Sequence, residues 1–150
     1  MNSEMLIQFA VGGLLTAAAV ASHVFASGVL LRLVRRYMKH IHHGRAWYVQ
    51  LVSVSAFVLG LILLHGAAIV GFAIAYLALG AFAGLEAALY YSSAAYSTLG
   101  LTDLAPHEWR LLGAWEGLVG FVLIGWSTAL FITVMLRIWS EDHKWFDPRD

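Results

Sequence analysis

The sequence predicts an all-α integral membrane protein with three transmembrane helices and one short re-entrant helix. Three observations carry that expectation. First, 61% of the 150 residues are hydrophobic and only 12% are charged, against about 45–50% and about 25% in soluble domains. Second, the apolar residues fall into long uncharged runs rather than short alternating strands, and only helices or closed barrels satisfy the backbone in lipid. Third, the basic residues cluster between and after these runs, as they do on the cytoplasmic side of membrane helices.

Met5 to Leu31 holds no Asp, Glu, Lys or Arg and exceeds the roughly 20 residues that a spanning helix needs. The start, Met1-Asn2-Ser3-Glu4, lacks the basic region of a secretory signal, so this run is read as a retained helix. A basic segment follows, with Arg32, Arg35, Arg36, Lys39, His40, His42, His43 and Arg45. It is expected to be a loop, solvated or facing lipid headgroups, and positions 32–45 suit anionic lipid. Together these form an N-terminal unit, residues 1–45. A second uncharged run extends from Ala46 to Leu85, and a third from Leu111 to Leu136, interrupted only by Glu116. Residues 141–150 are read as a short cytoplasmic tail.

Both basic segments belong on the cytoplasmic side, which places the N-terminus outside and requires an odd number of spans before the first. Forty helical residues would reach about 60 Å, too long for one span. Two spans there would put the tail outside. The economical solution is one span from about Trp47 to Ala75, a turn, then a short helix from about Gly84 to Ser97 that enters the membrane and returns. Such backbone is tolerated only where protein buries it or where it lines a cavity.

After that short helix the chain reads Thr98-Leu99-Gly100-Leu101-Thr102-Asp103. Here the stretch from about Trp47 to Trp139 resembles the pore domain of the tetrameric potassium-channel superfamily, of the bacterial type with two transmembrane helices and a pore loop, so residues 46–140 are read as a pore domain. The family's filter reads Thr-x-Gly-Tyr-Gly-Asp. Thr98, Leu99, Gly100 and Asp103 fit it, whereas Leu101 replaces the usual Tyr and Thr102 the second Gly. Tyr90 and Tyr91 fall where the family has two aromatics that buttress the filter. Arg110 to Gly120 resembles the inner helix of bacterial members. The first helix lies outside the resemblance. What the resemblance implies is a homotetramer with outer helix, pore helix, filter and inner helix around one axis, in a bacterial inner membrane, passing K+ or Na+ past Thr98, Leu99 and Gly100. Bound monovalent cations are then the only expected ligands.

In such a filter, carbonyl oxygens replace the ion's hydration shell. Successive carbonyls reach one axis only if backbone handedness alternates. Gly100 takes positive φ cheaply, whereas β-branched Thr102 does not. The outer half is therefore expected to be altered, with potassium selectivity weakened, while Thr98 to Gly100 is retained and the Thr98 hydroxyl adds a ligand. The competing reading makes Thr98–Asp103 an ordinary extracellular turn. The C-terminus of the pore helix would carry partial negative charge toward a cation. Glu4, Glu86, Asp103 and Glu108 would form an acidic mouth or simply solvate the rim.

Glu116 lies within the third run, where a carboxylate is costly. It is read as a neutral support for the filter, an ion ligand, or an interhelical hydrogen bond. His23 and His65 lie inside the first and second spans and are candidates, with Glu116, for pH sensing, or are packing histidines. Gly113, Gly117 and Gly120 share one helical face and are expected to pack against the pore helix. Gly120 or Gly125 is the gating-hinge candidate by resemblance. Ser127 and Thr128 are expected to face the lower cavity.

No cysteine is present and formal net charge is zero, which excludes thiolate chemistry and gives no electrostatic case for nucleic acid. No hydrolytic triad, P-loop or dinucleotide motif appears, so an enzyme is not expected. Two other functions fit the sequence. One is a non-conducting channel-like scaffold or regulatory subunit. The other is a four-span protein handling protons or metal through His23, His65 and Glu116.

Overall fold

The computed structural model describes residues 3–40, 47–100 and 106–140. Among them the chain forms four α-helices and one short 3-10 turn. Helix α1 covers Ser3–His40, α2 Trp47–Ala78, α3 Leu85–Tyr96 and α4 Arg110–Ser140. A 3-10 turn over His107–Trp109 leads into α4. Three helices are long and apolar enough to cross a membrane, over Met5–Arg36, Tyr48–Ala78 and His107–Leu136. The apolar runs read from the sequence therefore become these helices.

One boundary differs. The basic segment after Leu31 was expected to be a loop, yet α1 continues to His40. Arg32, Arg35, Arg36 and Lys39 are helical because no glycine or proline interrupts residues 29–43, and Leu, Arg and Lys are good helix formers. Residues 41–45, with His42, His43 and Arg45, lie outside the described residues.

Helix α2 ends at a glycine. Gly80 has φ 70°, its N–H donates to the Leu77 carbonyl at 3.0 Å, and Ala81 N–H donates to the Tyr76 carbonyl at 2.9 Å. That pair of bonds with a left-handed residue between is the Schellman cap. Gly84 then enters α3 in extended conformation, and Glu86 in the first turn suits the positive end of the helix dipole.

Side-chain pairs fix how the helices run. Gln8 meets Glu108 and Leu112, and His23 meets Ser127, so α1 and α4 are parallel. Tyr76 meets Glu116 and His65 meets Ser127, so α2 runs opposite to them. The three long helices thus alternate in direction along the chain. Phe57, Leu61 and Val134 pack with Leu30, Leu31 and Val34 at the end that carries the arginines of α1. The ends of α1 and α4 and the start of α2 share that end of the bundle. Gln8, the 79–84 turn and Glu108 share the other.

Helix α3 packs inside this frame. Its buried residues are Ala88, Tyr91, Ser92, Ala94 and Tyr96. Tyr91 sits in an aromatic cluster, its ring 5.2 Å from those of both Tyr76 and Phe82. Glycines of α4 make room for α3. A Cβ at Gly113 would lie 3.0 Å from Tyr91 Cζ, one at Gly117 3.1 Å from the Ala95 carbonyl, and one at Gly120 2.8 Å from the Tyr96 carbonyl carbon. This one-face packing of Gly113, Gly117 and Gly120 is the arrangement expected from their spacing.

Candidate functional site

The candidate site surrounds the C-terminal end of α3. Tyr96, its last residue, is only 1% exposed. Its hydroxyl lies 2.9 Å from His65 Nδ1. His65 is thirteen residues before the end of α2 at Ala78, so Tyr96 reaches about 20 Å below that end, near the middle of the helix. His23 and Ser127 also stand near the middle of their helices.

These residues join into one chain. His65 Nε2 lies 3.0 Å from Ser127 Oγ, and Ser127 Oγ lies 3.0 Å from His23 Nε2. The two imidazole centroids are 5.2 Å apart. Ser127 was expected to face a lower cavity; it is instead buried between the two histidines. The reason is that both imidazoles need a polar partner in an apolar bundle, and Ser127 is placed to serve both. Thr128 is exposed and returns its hydroxyl to the Ile124 carbonyl.

Glu116 belongs to a separate cluster. Its side chain is fully buried. Tyr76 Oη donates to Glu116 Oε2 at 2.8 Å. Ser92 Oγ is 2.5 Å from Glu116 Oε1 and 2.9 Å from the Ile69 carbonyl. A serine hydroxyl has one hydrogen. Both contacts are full two-centre hydrogen bonds only if Ser92 donates to Ile69 and a protonated Glu116 donates to Ser92. The carboxyl is then neutral, with one oxygen donating and the other accepting, and no buried charge remains. Glu116 thereby fastens α2 and α3 to α4. The structure does not join it to the histidines by hydrogen bonds.

Beyond Tyr96 the backbone turns sharply. Thr98 N–H donates to the Ala95 carbonyl and Leu99 N–H to the Ala94 carbonyl, both at 3.0 Å. Thr98 has φ 62° and Gly100 φ 64°, with Leu99 between them outside the positive-φ region. The bonds make Thr98 the left-handed residue of a second Schellman cap, a place where a β-branched residue is an outlier. Leu99 is 76% exposed. Leu101, Thr102 and Asp103 lie outside the described residues.

The remaining candidates separate. Tyr91 is buried, whereas Tyr90 is 54% exposed and points away from the bundle. A Cβ at Gly125 would meet nothing within 4 Å, while Gly120 touches the Tyr96 backbone. Glu86 and Glu108 are exposed. Among the described residues no three His, Cys, Asp or Glu side chains come together to hold a metal ion.

Several residues of the site were not picked out from the sequence. Gln8 Nε2 donates to the Glu108 carbonyl at 2.8 Å, and its Oε1 accepts from Leu112 N–H at 3.2 Å, capping the start of α4. Thr16 accepts from Trp115 Nε1 at 2.8 Å. The signal that marks them is the spacing of Gln8, Gly12, Thr16, Ala19, His23 and Ser27, every three or four residues along one face of α1. Ser92 and Tyr96 carried no such signal, because tyrosines and serines crowd residues 90–97, and Tyr76 is one aromatic in a long apolar run.

Compared with family models, with curated proteins and with solved structures, the chain finds no match.

Proposed function

We propose that four copies of this chain surround one axis and form a potassium-channel-like cation pore, with α3 as re-entrant pore helix and Thr98, Leu99 and Gly100 facing the ion. The observation that carries this reading is the position of α3. It is a 12-residue helix held between two long apolar helices, and its C-terminal residue reaches His65 near the middle of α2. Carbonyls at a helix C-terminus carry partial negative charge, which favours a cation at that depth. Positive φ at Thr98 and Gly100 with Leu99 between supports it further, because alternating handedness turns successive carbonyls toward one side. The exposure of Tyr90 and Leu99 leaves those side chains open to neighbouring copies.

On this reading the basic ends of α1 and α4 face the cytoplasm, the N-terminus lies outside, and anionic lipid meets Arg32, Arg35 and Arg36. Thr98 contributes its hydroxyl as well as its carbonyl, and Leu101, Thr102 and Asp103 form an outer half with weakened potassium selectivity. The test is the reversal potential of the purified protein in a planar bilayer with potassium on one side and sodium on the other. Clear current reversing near zero is expected. Reversal near the potassium equilibrium potential would overturn the weakened selectivity. Silence, with cross-linking showing an inserted tetramer, would overturn conduction and favour a scaffold.

A further inference from the structure

The hydrogen count of the chain His23–Ser127–His65–Tyr96 has a consequence that ion conduction does not use. Its three contacts are 2.9 Å from Tyr96 Oη to His65 Nδ1, 3.0 Å from His65 Nε2 to Ser127 Oγ, and 3.0 Å from Ser127 Oγ to His23 Nε2. In the neutral chain every contact is served when Tyr96 donates to His65, His65 Nε2–H donates to Ser127, and Ser127 donates to His23. The opposite polarity ends with His65 Nδ1–H donating to Tyr96. The tyrosine's own hydrogen then has no acceptor in the chain. Tyr96 is 1% exposed, so water does not supply one, and a buried unpaired donor is costly. The first polarity is therefore the one that pairs every hydrogen within the three contacts, and the imidazole hydrogen it leaves over, on His23 Nδ1, lies outside them.

One added proton removes it. On His65, both ring nitrogens become donors and Tyr96 must accept. For the charge to sit on His23, His65 passes its Nε2 hydrogen to Ser127 as Ser127 passes its own to His23 Nε2, and the added proton occupies His65 Nδ1, which donates to Tyr96. Both routes converge on one defect, a Tyr96 hydroxyl hydrogen without an acceptor. A second proton is opposed by the first, because the imidazole centroids are 5.2 Å apart and Ser127 cannot then place its own hydrogen. The other titratable groups buried on the packed faces of α2, α3 and α4 are Tyr76, Tyr91 and Glu116. Glu116, neutral by its own hydrogen count, supplies no counter-charge. On α1, His23 is the titratable group that faces this chain. Trp126, whose ring lies 6.4 Å from that of His23, adds no charge.

We infer that this chain is a one-proton sensor. When neutral it fastens the last residue of α3 to α1, α2 and α4. When protonated it releases Tyr96, and with it Thr98–Gly100 two residues further on. Its functional output rests on the cation-pore reading: release disorders the ion path, so acid lowers the current.

The test uses the full-length protein in lipid nanodiscs. Amide hydrogen exchange across residues 96–100, normalised for the intrinsic effect of pH, is compared at pH 8 and pH 5. The wild type should lose at least about tenfold in protection at pH 5. Tyr96→Phe, which lacks the hydroxyl, and the double variant His23→Gln/His65→Gln, which takes up no proton, should change less than about twofold. Equal protection of the wild type at both pH values, or a full acid response in Tyr96→Phe, would overturn the sensor. Bilayer currents recorded alongside separate the two proposals. Current that falls at pH 5 in the wild type but not in Tyr96→Phe supports the coupling, and pH-indifferent current overturns it. An acid response in exchange without current at any pH leaves the sensor standing and removes the pore.

Discussion

Replacing Gly120 by alanine tests the seat of α3 directly. A Cβ at this position would lie 2.8 Å from the Tyr96 carbonyl carbon and 3.0 Å from its Cα, and closer still to the carbonyl oxygen. These are backbone atoms of a helix end, so no side-chain rotation relieves the contact. Either α3 or α4 must move. Overpacking of this kind costs about 1–3 kcal/mol. The exchange of glycine for alanine inside a helix also gains about 1 kcal/mol in propensity. Gly125→Ala isolates the steric term, because it carries the same gain and its Cβ would meet nothing within 4 Å. The two variants should thus differ by about 1–3 kcal/mol, with Gly120→Ala the less stable. Unfolding in mixed detergent micelles, followed by circular dichroism, measures the difference. Equal stabilities would refute the close approach of the α3 terminus to α4. In the proposed pore, Gly120→Ala also displaces Thr98, so its current should fall. If Gly125 is a gating hinge, Gly125→Ala changes opening kinetics without lowering stability.

Three further outcomes follow from individual contacts. Glu116→Gln keeps one donor and one acceptor toward Ser92 and Tyr76 and should unfold within about 0.5 kcal/mol of the wild type, whereas Glu116→Leu leaves the buried Tyr76 hydroxyl without an acceptor and Ser92 without its donor and should lose about 1–3 kcal/mol; equal losses in the same unfolding assay would contradict a neutral Glu116. Gln8→Ala removes the acceptor for Leu112 N–H, so it should cost about 1 kcal/mol and speed exchange of the Leu112 amide, and an unchanged amide would mean that α1 does not cap α4. Thr98→Gly should raise stability by about 0.5–1 kcal/mol, since glycine accepts φ 62° without the Cβ clash but loses more chain entropy, and a loss of stability in thermal unfolding would show that the threonine side chain stabilises the cap.

The apolar runs made the three long helices legible, because a charge-free run of this length has few other solutions. The turn at 79–84 was legible from length and charge, since the run from Ala46 to Leu85 is too long for one span and two spans would put the tail outside. The end of α1 is not legible from solubility: eight basic or histidine residues look like a loop, yet α1 continues through Arg32, Arg35, Arg36 and Lys39 to His40. The site was legible only in part. Glu116, His23 and His65 stand out because ionisable groups are rare in apolar runs. Their partners do not stand out. Nothing in the spacing distinguishes Ser127 from Thr128, and only the rotation of α4 turns the first inward and the second outward. The pairing of Glu116 with Ser92 rather than with a histidine likewise depends on how deep α3 sits, which Gly113, Gly117 and Gly120 set by admitting it close to α4.

The first helix lies outside the channel resemblance, yet it supplies a contact at each level of α4. Gln8 caps the helix, Gly12 receives the Trp115 ring, Thr16 binds the Trp115 nitrogen, and His23 binds Ser127. At most 28% of any spanning window is buried within the bundle, so apolar burial between helices is modest, and lipid tails would compete with it on equal terms. Close approach at small residues and polar bonds between helices remain as the forces that select this arrangement. Both are concentrated along one stripe of α1 and one stripe of α4. Helix α1 therefore acts as the outer brace that holds α4 in rotation. That rotation in turn aims Glu116 at Ser92 and Ser127 at His65, the two attachments that fix α3. A change on α1 such as His23→Leu would then reach the Thr98–Gly100 turn through Ser127, His65 and Tyr96 without touching it.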